Sequence, residues 1–269
     1  MNNKCVICVY NHKQNISKSE HLSLLRIFDF CIKNNLIDNL LFIIPQSFNV
    51  DLFISTYLLK FINDNNIDDY QFRYIKYSDI CFSSINAYNN MLVLNVNHYG
   101  DISNYDYILT YQLDGYIFDN ELDYFLNKNY DYIGGYYLPV FSDRSKYNNY
   151  DNIDTEHHLS MNGGVSLKNI KFCIDSIKKY YNDYLNGCEF NSVHSYLNED
   201  TFFSLFYNTE VNALDSIRFS LNWAGAESHY AINNFKYPFC CHGINKSNFL
   251  MKLVEKYNKE NNLNYSNYI

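Results

Sequence analysis

Proline is scarce, three in 269 residues. Asn, Ile, Tyr and Lys are abundant, a bias that an AT-rich genome explains more simply than function does. No stretch approaches the roughly 20 apolar residues of a membrane-spanning helix. The apolar run Cys5–Tyr10 is too short for a secretory signal. Peripheral association with a membrane remains compatible with the sequence. No block of like charges suggests a polybasic tether. Lys and Arg number 21 against 29 Asp and Glu, a net charge of −8. The chain therefore lacks the electrostatic footprint of a general nucleic-acid binder. It also lacks any linker or repeat. One domain over residues 1–257 is expected, followed by a polar, Asn-rich tail over 258–269 that is expected to fray.

Apolar residues make up 47% of the chain and aromatics 18%, enough for a substantial α/β core. Tyr rings also suit the apolar C–H side of a pyranose. Eight cysteines are present. Cys5 and Cys8 fall three apart on one predicted strand and so point to opposite faces, which makes them poor joint metal ligands. The cysteines read as buried, reduced thiols of a cytoplasmic protein rather than as a disulfide framework or zinc site.

Short β-branched runs predict buried strands at Cys5–Tyr10 and at 40–44, the latter closed by Pro45. Further strands are predicted at 72–77, 107–111 and 131–135. Ser17 and Glu20 form the sequence pattern of a capping box, opening a helix with Leu22, Leu25, Phe28 or Asp29, and Ile32 at helical spacing. Helices are also expected at 50–61, with Leu52, Tyr57, Leu58 and Phe61 facing the core, and at 84–94. Another is expected from Ile170 through Cys173, Ile174, Ile177 and Tyr181. Residues 143–158 read as a long polar loop. Strands alternating with helices imply a mostly parallel sheet with helices on both faces.

Four clusters could carry chemistry. In Tyr111-Gln112-Leu113-Asp114-Gly115 a buried strand delivers a carboxylate at its C-terminal end, where open α/β sheets bind ligands. Asp114 there either holds Mg²⁺ or Mn²⁺ together with substrate phosphates or merely caps a turn. In Met161-Asn162-Gly163-Gly164-Val165-Ser166-Leu167 the paired glycines allow close approach of backbone and ligand; a plain strand-turn-helix junction gives the same pattern. Asn198-Glu199-Asp200 places acids at a helix start, where the dipole favours them, or turns one carboxylate to a cleft as general base. In Phe239-Cys240-Cys241-His242-Gly243 the histidine is either structural or a late metal ligand. His157 and His158 are weaker candidates in the polar loop.

The order of these clusters carries more than each alone. The chain resembles a family of uncharacterised glycosyltransferase-like proteins related to the GT-A inverting glycosyltransferases. The resemblance runs through Val9-Tyr10, Ile43-Ile44-Pro45, Ser84-Ile85-Asn86-Ala87-Tyr88-Asn89 and the segment ending in Asp114. It continues through Tyr130-Asp131-Tyr132-Ile133-Gly134, Asn162-Gly163-Gly164, Asn198-Glu199-Asp200 and Pro238-Phe239-Cys240-Cys241-His242-Gly243. It implies the GT-A, nucleotide-diphospho-sugar transferase fold. It also implies metal-dependent, inverting transfer from a nucleotide-sugar donor to a hydroxyl of a glycan or other acceptor, in cell-surface or other glycan synthesis. Asp114 matches the last acid of the family's Asp-x-Asp motif for Mn²⁺ or Mg²⁺. Gln112 departs from the motif's first acid and, being neutral, suits a ribose or water contact. Asp200 matches the general base, with Glu199 as runner-up. Asn162, Gly163 and Gly164 line the sugar sites, and His242 is a metal or diphosphate contact. Tyr10 stands near the nucleotide base, and Lys13 supplies the cation that usually follows that Tyr.

Two rival readings stay open. A sugar nucleotidyltransferase would need a Gly-rich, basic loop after the first strand, where this chain has Tyr10-Asn11-His12-Lys13-Gln14-Asn15. A non-catalytic carbohydrate-binding protein could share the fold.

Overall fold

The computed structural model describes residues 4–67, 72–94, 96–136, 161–187 and 198–269. The main sheet has the order β3-β2-β1-β4-β7-β6. Its strands are β1 (Cys5–Tyr10), β2 (Leu40–Pro45), β3 (Tyr74–Tyr77), β4 (Tyr107–Gln112), β6 (Tyr132–Tyr136) and β7 (Met161–Asn169). β1 pairs in parallel with β2 and β4, and β2 with β3. β7 runs antiparallel to both β4 and β6. Strands β1, β2 and most of β4 are buried along their length, as near-continuous apolar runs in a covered parallel sheet should be.

A second, smaller sheet has the order β5-β9-β8, from β5 (Gly115–Ile117), β8 (Ser220–Asn222) and β9 (Cys240–His242). In it His242 is the register partner of both Gly115 and Asn222. A separate apolar cluster, with Tyr116, Leu221, Leu250 and Tyr257, supports this sheet.

Helix α1 (Lys18–Lys33) opens with the expected capping box: Ser17 accepts from the Glu20 amide, and Glu20 accepts from the Ser17 amide. It packs against β5. Helices α4 (Ile85–Leu94), α5 (Val96–Gly100), α7 (Ile170–Gly187) and α8 (Glu199–Phe206) pack on one another. The remaining helices are α2 (Val50–Tyr57), α3 (Leu59–Asp64), α6 (Leu122–Asn127), α9 (Ala213–Phe219), α10 (Ala226–Ile232) and α11 (Asn248–Glu260). Among the described residues, no helix is long and apolar enough to cross a membrane.

Several expectations need correction. The helix expected over 50–61 is two helices that break at Leu58. Asn49 caps the first of them and sets its phase, so Phe53 is buried while Leu52 is 52% exposed. The glycines at 163 and 164 form no turn, because they lie inside β7. The tail is docked rather than frayed: α11 runs to Glu260, and Tyr265 is buried. Cysteines 5, 8, 31, 81, 173, 240 and 241 are free thiols, all but Cys81 buried. The loop expected at 143–158, with His157 and His158, lies outside the described residues, as does the Tyr181 side chain.

Candidate functional site

The C-terminal ends of β1 and β4 meet with Tyr10 opposite Gln112. Asp114 occupies the turn from β4 into β5. Its backbone oxygen accepts from both the Gly243 and Ile244 amides at 2.9 Å, which locks this turn to the segment after β9. The His242 Nε2 lies 3.1 Å from Asp114 Oδ1 and 3.2 Å from Gln112 Oε1. Lys246 Nζ stands 3.6 Å from Asp114 Oδ2. Burial pushes the Asp114 carboxyl up. The hydrogen bond and charge of His242, with the Lys246 charge, outweigh that and hold it below its ordinary value. Asp114 is therefore an anion at neutral pH.

Asp114, Gln112 and His242 bring two oxygens and one nitrogen around one point. Among the described residues no group of three or more His, Cys, Asp and Glu could hold a metal. A cation at this point could draw on one anion, one imidazole and one amide from the protein. That set does not make a closed structural site. It fits a hard divalent cation that takes further oxygens from a substrate diphosphate.

Strand β7 lies between this group and the acids of α8. A Cβ on Gly164 would collide with the His242 ring, and a Cβ on Gly163 would collide with the Glu199 carboxylate. Asn162 steadies the pair, its Oδ1 accepting from the Gly164 amide at 2.9 Å. The two acids differ in setting. Glu199 is 6% exposed and pairs at 3.2 Å with Lys168, which is 1% exposed. Lys168 also donates to Thr110 Oγ1 at 3.0 Å and Ser166 Oγ at 2.8 Å. Asp200 is partly buried and accepts from the Thr201 amide at 2.8 Å. Burial, reinforced by the Glu199 charge, pushes its carboxyl up to about 7. Asp200 can thus exchange a proton near neutral pH, which a general base requires.

Tyr10 is buried and ends a chain of hydrogen bonds. Tyr77 donates to Asp101 at 2.8 Å, so its oxygen accepts from His98 Nδ1 at 3.1 Å, and His98 Nε2 accepts from the Tyr10 hydroxyl at 2.7 Å. Burial, aided by the Lys168 charge, pushes His98 down to about 3, which keeps it neutral. Lys13 is not free: it pairs with Glu20 at 2.6 Å. A cavity of about 370 Å³ lined by Leu41, Phe72, Asp101 and Tyr105 lies at the opposite, N-terminal edge of the sheet and holds none of the candidate residues.

Residues 70–242, more than half of the chain, match the family model described as "Protein of unknown function (DUF5672)". The chain belongs to this family. The matched span contains Asp114, Gly163, Gly164, Glu199, Asp200 and His242. No curated protein is similar enough to match. Among solved structures, the galactosyltransferase LgtC in complex with donor and acceptor sugar analogs is similar at 13% identity and a TM-score of 0.57. The alignment covers 94% of this chain and 95% of that one. An active-site mutant of LgtC is similar at 14% identity and a TM-score of 0.56, over 88% and 86%. These likenesses show the GT-A-like fold.

The DUF5672 chain has three further residues beside the candidate groups to which the sequence assigned no role. Lys168 is a charge inside an apolar strand, two residues after Ser166 on the same strand parity; that parity was the available signal. Lys246 follows His242 in a turn, and only its spacing hinted at it. Tyr88 accepts from Gln112 Nε2 at 3.4 Å; it lies in a segment that carries the family resemblance, but nothing there gave it a role.

Proposed function

We propose that this protein is a metal-dependent, hexosyltransferase-like glycosyltransferase. It moves a sugar from a nucleotide-sugar donor to a hydroxyl of a glycan or other acceptor, with inversion. One observation carries the reading: the bare Cα atoms of Gly163 and Gly164 let the Glu199 carboxylate, next to Asp200, and the His242 ring, paired with Asp114, close in on one strand. That close packing sets a candidate diphosphate site and a candidate base against the same short stretch of β7. Asp114 follows the C-terminal end of β4, and that edge of an α/β sheet is where ligands bind.

Asp114 and His242 would hold Mn²⁺ or Mg²⁺, which when bound supplies Lewis-acid stabilisation of charge on the departing diphosphate. Lys246 adds a second positive charge there. Asn162 and the glycine pair line the sugar, and Gln112 contacts the ribose or a water. Tyr10 backs the nucleotide base, with its hydroxyl fixed by His98. Lys13 is freed for the donor only by releasing Glu20. The acceptor oxygen bonds to the anomeric carbon as the bond from that carbon to the diphosphate oxygen breaks. Asp200 takes the hydroxyl proton, and Glu199, neutralised by Lys168, holds the start of α8 in place. The chemistry lies within one domain, and the protein serves glycan synthesis. Its buried thiols favour a reducing, cytoplasmic setting.

Turnover of a nucleotide-sugar panel, with and without EDTA, tests this. The expected result is metal-dependent donor hydrolysis or transfer that Asp114→Ala abolishes. If the wild type binds no nucleotide sugar under any metal condition, the proposal fails. Asp200→Asn should keep donor binding and lose about 10²-fold or more in transfer; full turnover would remove its role as base. Retention of anomeric configuration in the product would overturn inversion.

A further inference from the structure

Trp223 is the chain's single tryptophan and is 44% exposed just after β8. Its amide donates to the His242 carbonyl at 3.0 Å. Its side chain lies on Gly243, a glycine at φ 85° whose Cβ would approach Trp223 Cδ1 to 2.6 Å. Both the positive φ and the close approach require glycine there. The indole is thus seated one residue from the candidate metal ligand while nearly half its surface stays open.

Polar groups without partners lie behind it. Asn222 is 0% exposed, yet neither its Oδ1 nor its Nδ2 has a hydrogen-bond partner. Both ring nitrogens of the buried His229 are unpartnered, as is His242 Nδ1. Asn222 and His242 are register partners, so their side chains share one face of the small sheet. The Asn222 Cβ lies close to Gly135, and the His229 ring lies 5.5 Å from that of Tyr136. Each orphaned buried polar group is costly, and native proteins carry few of them. Five such atoms in one corner point to an occupant.

The groups also define that occupant. An amide and two imidazoles both donate and accept, as sugar hydroxyls do. Burial pushes His229 down from its ordinary value, so Asn222 and His229 offer no charge to a phosphate or carboxylate. The open indole suits the apolar C–H side of a pyranose. We propose that Trp223, Asn222 and His229 form the acceptor subsite, which takes the terminal pyranose of a neutral glycan. Trp223 stacks on the ring, and the two polar residues read its inward hydroxyls. This assignment rests on the transferase reading above.

The lone tryptophan makes a direct probe. Its emission is titrated with a panel of methyl glycosides and neutral disaccharides, with nucleoside diphosphate and Mn²⁺ present. At least one sugar should give a saturable change. Asn222→Ala and His229→Leu keep the fluorophore and should weaken that sugar at least ten-fold. Trp223→Ala should raise the acceptor KM at least ten-fold, and Trp223→Phe should recover part of it. The affinity for nucleoside diphosphate, read by calorimetry, should move less than two-fold. Nucleoside diphosphate binding with no response to any sugar would overturn the subsite. So would unchanged sugar affinity in Asn222→Ala and His229→Leu. If no nucleoside diphosphate binds at all, the transferase reading falls, and this assignment with it.

Discussion

Glu199 and Asp200 are neighbouring carboxylates that the surrounding residues set apart. Lys168 compensates Glu199, while burial, reinforced by the Glu199 charge, raises Asp200. The folded Asp200 titrates near 7 against an ordinary value of 3.8. Between those values the folded state keeps a proton that the unfolded state has lost. Its contribution to stability therefore falls as pH climbs from about 4 to about 7 and is level above that. Asp200→Asn should melt roughly 2–4 °C above wild type at pH 8, about 1 kcal/mol for a chain of this size, and match it at pH 4. In the wild type, transfer should rise with pH through about 7 as the base ionises. Calorimetric scans at both pH values and a pH–rate profile check this; equal melting at pH 8 would contradict it. Lys168→Met leaves a buried anion unpaired and should cost about 3–5 kcal/mol. Adding Glu199→Gln should recover much of that loss in a double-mutant cycle. If the two losses simply add, the pair is not coupled.

Strand β7 positions the site because two of its residues lack side chains. Gly164→Ala pushes on His242 and Gly163→Ala on Glu199, so the two variants should fail differently. The first should weaken metal-dependent binding of nucleoside diphosphate by about ten-fold or more. The second should bind it normally and lose transfer. Calorimetry beside a transfer assay separates them, and identical defects would show that the strand does not divide the site. This close approach was legible only in part. The glycine pair marked tight contact, but their apparent turn was wrong because nothing local showed that β6 would pair with β7 on both sides of them. β1, β2 and β4 were readable because a strand buried on both faces spells itself as a short apolar run. The split at Leu58 was not, and neither was the phase that Asn49 sets by capping, which buries Phe53 rather than Leu52. The Lys168–Glu199 pair joins residues 31 positions apart, a separation that no periodicity records. Ser220–Asn222 is three residues long and has no pattern to read.

Across the whole molecule, Arg26 joins the two sheets' surroundings. From α1 it donates to the Ile117 and Phe118 carbonyls, both at 2.7 Å, and to Asp29 at 2.9 Å. The C-terminal segment completes that junction. Tyr265 donates to Asp29 at 3.1 Å, the Tyr268 ring lies 5.2 Å from that of Phe61, and Lys60 donates to the Asn267 carbonyl at 2.9 Å. Asn-rich composition suggested fraying, but two tyrosines anchor the segment, and composition averages hide single anchors. Removing residues 262–269 therefore exposes the Arg26–Asp29 pair and the apolar surface beneath Tyr265. The expected loss is about 3–5 kcal/mol, the range for deleting a large buried aromatic, and roughly 10 °C in melting temperature. The junction lies away from Asp114 and Asp200, so nucleoside diphosphate affinity measured well below the transition should stay within two-fold of the full chain. Tyr265→Phe, which keeps the ring and loses the hydrogen bond, should cost only about 1 kcal/mol. A truncated chain that melts within 1 °C of the full one would show that the segment contributes nothing and that composition alone had described it correctly.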